Sequence, residues 1–298
     1  MTVSTTLLVQ PDDGAGPVLA AIKGARKSID TYLFKLSHPE VIDALSDAVS
    51  RGVPVRALVA HANSEGSKSL RKLESALLKI GASVSRSDDD LLRYHGKMMI
   101  VDCKTLYVLG YNFTYKDIED SRSLGISTQA TELVAEAITL FEADFERRTY
   151  TPCLDNLLVS PLNSRSGLLE LIAGAKKRLL IYDPKVSDTL MQKAIERRAL
   201  AGIEVRIIGN VEAKLEGVEI ERSPADRLHV RAIVQDDQRV FIGSQSLRRT
   251  ALERRREIGV LLDDKKIVAG VVAIFEKDWA GGNGAGKRHG RAFKIAVA

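Results

Sequence analysis

Cysteine, histidine and aromatic residues are all scarce in this 298-residue chain, and each shortage narrows what it can be. Two cysteines, Cys103 and Cys153, provide neither a disulfide framework nor a zinc site. Aromatic residues make up 5% of the chain, which argues against a run of base-stacking platforms, although contacts to a nucleic-acid backbone need none. No run approaches the roughly 18 apolar residues of a membrane-spanning helix. The start, MTVSTTLLVQPDDG, lacks a basic stretch followed by a long apolar core, so no secretory leader and a cytoplasmic location are expected. With 45% hydrophobic and 28% charged residues, the composition is that of a soluble globular protein with one large domain or two ordinary ones.

Charge is unevenly spread. Residues 1–150 carry 18 Lys and Arg against 20 Asp and Glu, whereas the remainder carries 26 against 19. That asymmetry suits an anionic partner on the C-terminal side, or a solvated charged surface.

What the chain does contain is a long repeat. VLAAIKGARKSIDTYLFKLS (18–37) lies over LLELIAGAKKRLLIYDPKVS (168–187) at an offset of 150, with Leu19, Ile22, Gly24, Ala25, Lys27, Tyr32, Lys35 and Ser37 all meeting identical partners. Gly52, Val55 and Arg56 recur at Gly202, Val205 and Arg206. The period is far longer than that of a solenoid, so this is a duplicated domain. Each half alternates helical and strand-like patterns: a helix over 15–27, a strand over 28–35, a helix from Pro39 to about 51 closed by Gly52, and a buried strand over 53–60. Such alternation predicts a layered α/β fold with helices on the sheet faces. The halves are expected at 1–150 and 151–280, joined through RRTYTPCLDN, with a flexible glycine-rich basic tail over 281–298.

Two stretches sit in register within the repeat. RYHGKMMIVD (93–102) holds His95, Lys97 and Asp102; RLHVRAIVQD (227–236) holds His229, Arg231 and Asp236. Both read as strands, on which side chains two apart share a face, so each histidine points with its cation. An imidazole beside a fixed cation suits phosphate: the cation holds oxygens while the imidazole reacts or moves a proton. Asp102 and Asp236 are better placed to order a turn than to do chemistry. Beyond each Asp the halves align again at LGYNFT (109–114) and GSQSLR (243–248), and 28 residues after the histidines stand Ser123 and Glu257. His61 and Asn210 hold repeat-equivalent strand ends and could flank a cleft. RRTALERRRE (248–257) could grip a polyanion at the site mouth or form a solvated face. His38 and His289 look incidental.

His-x-Lys-x4-Asp, six residues, then Gly-Ser-x-Asn, occurring twice in one chain, resembles the phospholipase D superfamily. The likeness covers residues 3–280 and includes the lead-in LLVSPLNSRSGLLELI (157–172). It implies two homologous α/β sandwich halves, each a mixed sheet flanked by helices, related by a pseudo-two-fold axis with one active site at their interface. It also implies a phosphodiester substrate, phospholipid or nucleic acid, no metal or other cofactor, and a monomer sufficient for a complete site. One histidine would attack phosphorus, and the other would protonate the leaving alcohol and then activate water or an acceptor alcohol. Carried over residue by residue, His95 is the expected nucleophile and His229 the general acid and base. Lys97 and Arg231 would bind phosphate oxygens, and Glu257 would orient a motif histidine. Asn112, Ser244 and Ser246 fall on the substrate-binding positions. The departures are Leu109 and Gly110 for Gly-Ser, Ser123 for the orienting acid (with Glu119 and Asp120 nearby), Arg231 for Lys and Ser246 for Asn. They leave an alternative from another class, a non-catalytic protein that binds phosphate polymers on a degenerate copy of the fold.

Overall fold

A computed structural model describes residues 4–62 and 68–285. The first half contains β1 (Thr5–Gln10), α1 (Gly16–Gly24), β2 (Ile29–Leu33), α2 (Pro39–Ser50), β3 (Val55–Val59), α3 (Lys68–Lys79), β4 (Ser83–Arg86), β5 (Arg93–Tyr94), β6 (Met98–Val101), β7 (Thr105–Leu109), α4 (Tyr115–Glu119), β8 (Ser123–Thr128) and α5 (Thr131–Phe145). The second half contains β9 (Leu157–Val159), α6 (Ser164–Ala173), β10 (Arg178–Val186), α7 (Thr189–Leu200), β11 (Glu204–Val211), β12 (Glu219–Glu221), β13 (Ala232–Gln235), β14 (Arg239–Gly243), α8 (Arg249–Glu253), β15 (Arg255–Arg256), β16 (Ile258–Leu262) and α9 (Lys265–Ala285). Pro39 starts α2, where its missing N–H costs nothing, and Gly52 follows its end at a φ of 82°.

Each half forms one seven-stranded mixed sheet. The orders β1-β8-β7-β6-β2-β3-β4 and β9-β16-β14-β13-β10-β11-β12 match strand for strand. β2, β3 and β4 run parallel through helical crossovers, and the remaining neighbours pair antiparallel. β2 is buried along its whole length, as a strand covered on both faces must be. One apolar cluster fills the first half and continues into Tyr182, Val230, Val234, Ile242 and Val260 of the second, so the halves share a core.

The paired aspartates close each half locally. Asp102 and Cys103 have φ of 57° and 52°, and Asp236 and Asp237 have φ of 54° and 55°, the left-handed pair that makes a tight hairpin turn. From those turns the Asp102 carboxylate accepts from the backbone N–H groups of Arg26, Lys27 and Ser28 at 2.6 to 3.2 Å. Asp236 does the same for Lys176, Lys177 and Arg178 at 2.7 to 3.1 Å.

Two buried ties cross the seam in opposite directions. Arg122, just before β8, reaches Asp278 on α9 at 3.1 Å; Arg256, on β15, reaches Asp144 on α5 at 2.9 Å. Each aspartate also accepts from a repeat-equivalent tyrosine hydroxyl at 2.7 Å, Tyr182 for Asp278 and Tyr32 for Asp144. At the seam Gly110 is required, because a Cβ there would come within 2.6 Å of the Leu124 carbonyl oxygen and 3.4 Å of that of Gly243.

Two expectations are adjusted. His95 and Lys97, and His229 and Arg231, lie in the segments leading into β6 and β13 rather than inside strands. Bonds from the opposite half hold those segments: His95 and Gly96 donate to the Arg256 carbonyl, and His229 to that of Arg122. The stretch expected as a tail from 281 stays helical to Ala285, with Gly281 against Pro224 and Gly282 against Glu221 and Arg222; 286–298, with His289, lie outside the described residues, as do 63–67 after His61.

Candidate active site

The structure brings together five of the expected residues: His95 and Lys97 from one half, and His229, Arg231 and Glu257 from the other. The Glu257 carboxylate crosses the seam to His95, with Nδ1 2.9 Å from one oxygen and 3.0 Å from the other. Lys97 Nζ donates to the His95 carbonyl at 2.6 Å and lies 3.1 to 3.2 Å from the ring nitrogens. Arg231 makes the corresponding contact, donating from a terminal guanidinium nitrogen to the His229 carbonyl at 2.8 Å. The same nitrogen also reaches the Gly110 carbonyl of the other half at 3.4 Å. Arginine thus keeps the lysine's anchor and adds a contact that the shorter side chain does not make.

Electrostatics here are set by burial among cations. Burial lowers the His95 imidazole to about 4; Glu257 pulls it up, and Lys97 and Arg231 push it down. His95 is therefore neutral near pH 7. Burial likewise lowers the Lys97 ammonium to about 7, opposed by Glu257 and reinforced by Arg231. Burial alone would raise Glu257, but His95, through its charge and its hydrogen bond, and Lys97 hold that carboxyl at about 2. His229 is pushed well below the ordinary imidazole value, first by burial and then by Arg231, Lys97, Arg227 and His95.

The remaining expected residues play other parts in the geometry. Asn112 donates from both its backbone N–H and its side-chain amide to Asp117, at 2.9 and 2.6 Å. The Ser244 hydroxyl accepts from the Ile258 N–H at 3.1 Å and helps hold Glu257 ionised. The Ser246 hydroxyl is held by the buried Asp183. Asp102 and Asp236 sit in the hairpin turns already described. His61 lies at the end of β3, and Asn210 lines a cavity of about 340 Å³ with Leu228. His38 is buried, with its Nε2 3.8 Å from Glu119.

Sequence reasoning missed Asp117. Ser123, where an orienting acid was expected, donates instead to the His229 carbonyl at 3.3 Å. Neither of the two nearby acids, Glu119 and Asp120, takes that place: Glu119 faces His38, and it is Asp117 that stands 3.8 Å from His229 Nδ1. Asp117 is the buried residue that closes the first turn of α4 against the Thr114 cap, and Arg227 binds its other oxygen. Burial would raise its carboxyl, but Arg227 and Asn112 hold it lowered. Its repeat-equivalent is Ala251, so the duplication carried no signal for it.

The family described as cardiolipin synthase, phospholipase D-like domain, matches twice, over residues 18–145 and 168–279. A mouse mitochondrial cardiolipin hydrolase is 32% identical over 130 residues, 44% of this chain and 55% of that protein. A Clostridium perfringens cardiolipin synthase is 23% identical over 310 aligned positions, 84% of this chain and 64% of that protein. The chain thus spans little more than half of the length of the first and under two thirds of the second. Among solved structures, polyphosphate kinase from Porphyromonas gingivalis superposes with a TM-score of 0.75 at 18% identity, covering 93% of this chain and 50% of that one, a likeness of fold. With both copies matched, and a histidine and its cation in each meeting across the seam, the chain belongs to the phospholipase D superfamily.

Proposed function

We propose that the chain is a phosphodiesterase that works through a phosphohistidine on a phospholipid headgroup. The observation that carries this reading is His95, neutral, with Nδ1 fixed by Glu257, which assigns the proton to Nδ1 and the lone pair to Nε2, beside the Lys97 Nζ at 3.2 Å. Nε2 attacks phosphorus and the bond to the leaving alcohol breaks, while His229 gives that alcohol its proton. Water or a second alcohol then loses its proton to His229 and attacks phosphorus, and the N–P bond breaks to restore His95. Lys97 and Arg231 hold the non-bridging oxygens throughout. A bound phosphodiester anion offsets the cations that depress His229, so the substrate itself helps His229 take up the proton it donates. Asp117 serves as the acid on the His229 side, in place of the residue that Ser123 is not. The lipid assignment rests on the relatives, which are named for cardiolipin. The degenerate, non-catalytic alternative draws no support from them.

The test is turnover of bis-p-nitrophenyl phosphate, phosphatidylglycerol vesicles and single-stranded DNA, side by side. Release of headgroup from the vesicles, abolished by His95→Ala and unaffected by EDTA, is expected. Cleavage of DNA alone would overturn the lipid assignment, and wild-type inactivity on all three would overturn the enzyme.

A further inference from the structure

The two halves end their central strand pairs differently, and the difference falls beside the histidines. In the first half β2 and β3 pair in regular register as far as Leu33 and Val59. The next residue, Phe34, is buried, with its ring edge-on to His95 and the ring centres 4.7 Å apart. The Arg93 guanidinium lies 5.2 Å from the centre of the same ring, in a two-stranded ribbon where β5 and β15 set Arg93 opposite Arg255. The His95 side is thus walled by an aromatic ring.

In the second half the equivalent pair, Asp183 and Gly209, is the last before the register shifts, and pairing resumes at Val186 and Val211. Two residues of β10, Pro184 and Lys185, therefore face the single Asn210 of β11, a β-bulge. Proline suits a bulge, having no N–H to give the ladder. Gly209 is required there, because its φ is 153° and a Cβ would meet the Asp183 carbonyl oxygen at 1.8 Å. The Asp183 carboxylate accepts from the N–H groups of Lys185 and Leu247 at 2.8 and 2.6 Å, which ties the bulge to the loop after β14. Where Phe34 walls the first half, its repeat-equivalent Pro184 borders a cavity of about 340 Å³. Pro184, Ala225 and Leu228 give this cavity an apolar part, and Asn210, Arg222 and Asp226 a polar one. Leu228 stands immediately before His229. Among the described residues, nothing hydrogen-bonds or ion-pairs with the Asn210, Arg222 or Asp226 side chains.

We propose that this cavity seats the alcohol that departs from or arrives at phosphorus, and that Pro184 and Gly209 make room for it. Displacement at phosphorus is in line, so with His95 as nucleophile both alcohols lie on the His229 side. The arriving alcohol gives its proton to His229 as its oxygen bonds to phosphorus and the N–P bond to His95 breaks. The chemical class is a short alcohol with a second polar group. Its carbon skeleton rests on the apolar part, and its second group meets Asn210, Arg222 or Asp226. A built seat of this kind makes the chain a transferase as well as a hydrolase. The inference rests on the proposed diesterase reading, which names His95 as the nucleophile.

The experiment supplies bis-p-nitrophenyl phosphate as donor and either 1,2-ethanediol or 1-propanol, equal in heavy atoms, as acceptor. Chromatography gives the ratio of alkyl ester to p-nitrophenyl phosphate. That ratio reports how the phosphohistidine divides between alcohol and water, and does not depend on how fast it forms. At equal concentration the wild-type ratio should be about tenfold higher for the diol. Pro184→Phe, which restores the ring of the first half, should lower the diol ratio about fivefold or more. Asn210→Ala combined with Asp226→Ala should bring the diol down to the level of propanol. Leu200→Phe, at the far end of α7 where the side chain is 61% exposed, should change neither ratio. Equal wild-type ratios for the two alcohols, or a diol ratio untouched in the cavity variants, would overturn the proposal. Should Pro184→Phe not fold, the double alanine variant decides alone. Saturation-transfer NMR of 1,2-ethanediol reads the seat without turnover, and no wild-type signal would overturn it. A chain that cleaves no diester but loses that signal in the double alanine variant refutes the chemistry alone. One that cleaves diesters at equal ratios refutes the seat alone.

Discussion

The two sides of the site use the same scaffold to different ends. On one, His95 is fixed through Nδ1 by a carboxylate at 2.9 Å and bordered by Arg93 and Arg255. On the other, His229 has its nearest carboxylate at 3.8 Å, that carboxylate is shared with Arg227 and Asn112, and the arginine pair is replaced by an arginine and a serine. The frame around both is held in common: the aspartate turns, the seam ties and the strand order recur in each half. Duplication preserves what positions the backbone, while the two imidazoles are free to specialise. A nucleophile gains from one fixed tautomer, and a group that must both give and take a proton gains from a looser hold.

The sharpest way to break this comparison is to remove each histidine in turn. His95→Ala should lower turnover by about four orders of magnitude or more. His229→Ala should leave a covalent phosphoryl adduct on His95 that forms with bis-p-nitrophenyl phosphate, whose leaving group needs little protonation, and then persists. Mass spectrometry of the quenched protein reads the adduct, and its appearance on His229 would reverse the two roles. Next in size, Glu257→Gln should cost about a hundredfold or more in kcat, whereas Asp117→Asn should cost about tenfold. Equal losses would show that the two sides are held alike.

Arg231→Ala should approach inactivity and Arg231→Lys should retain part of the rate, measured as kcat/KM. Wild-type activity in the alanine variant would place that guanidinium outside the phosphate site. The pH profile should rise as His95 loses its proton near about 4 and fall as Lys97 loses its own near about 7. Both signs follow from need, since the nucleophile must be unprotonated and the anchoring ammonium must be charged. Lys97→Arg should carry the alkaline limb upward, and an unmoved limb would assign it to another group. The smallest effect probes sameness rather than difference. Asp102→Ala and Asp236→Ala should each cost about 1–2 kcal/mol, the carboxylates being partly screened by solvent, and by similar amounts in denaturant titrations.

Much of the fold was legible because a repeat of identical residues at a fixed offset reports architecture without any propensity argument. His95, Lys97, His229 and Arg231 were legible for the same reason, since each stands at a matched position; Glu257, opposite Ser123, was legible only through the superfamily resemblance. The pairing of Glu257 with the histidine of the other half was not, because spacing along one half cannot say which imidazole a side chain meets across a seam. Asp117 was hidden, since its counterpart is an alanine and only the turn at Thr114 aims it. The arginine ribbon was hidden as well: β5 and β15 hold two residues each, too few to show a period. The basic cluster at 248–257 proved to be several things at once, with Arg256 turned inward, Arg255 toward the site and Arg249 outward to Glu253.

Arg256 stands immediately before Glu257, and Arg122 immediately before Ser123. The peptide that rivets one half to the other is therefore the peptide that aims the side chain at the site. Any slippage of the halves would swing Glu257 away from His95 in the same movement, so the chain has no way to loosen its joint and keep its aim. Damage to a rivet such as Asp144, which touches Arg256 rather than either histidine, should read out first as misdirected side chains at the site and only then as an unstable protein.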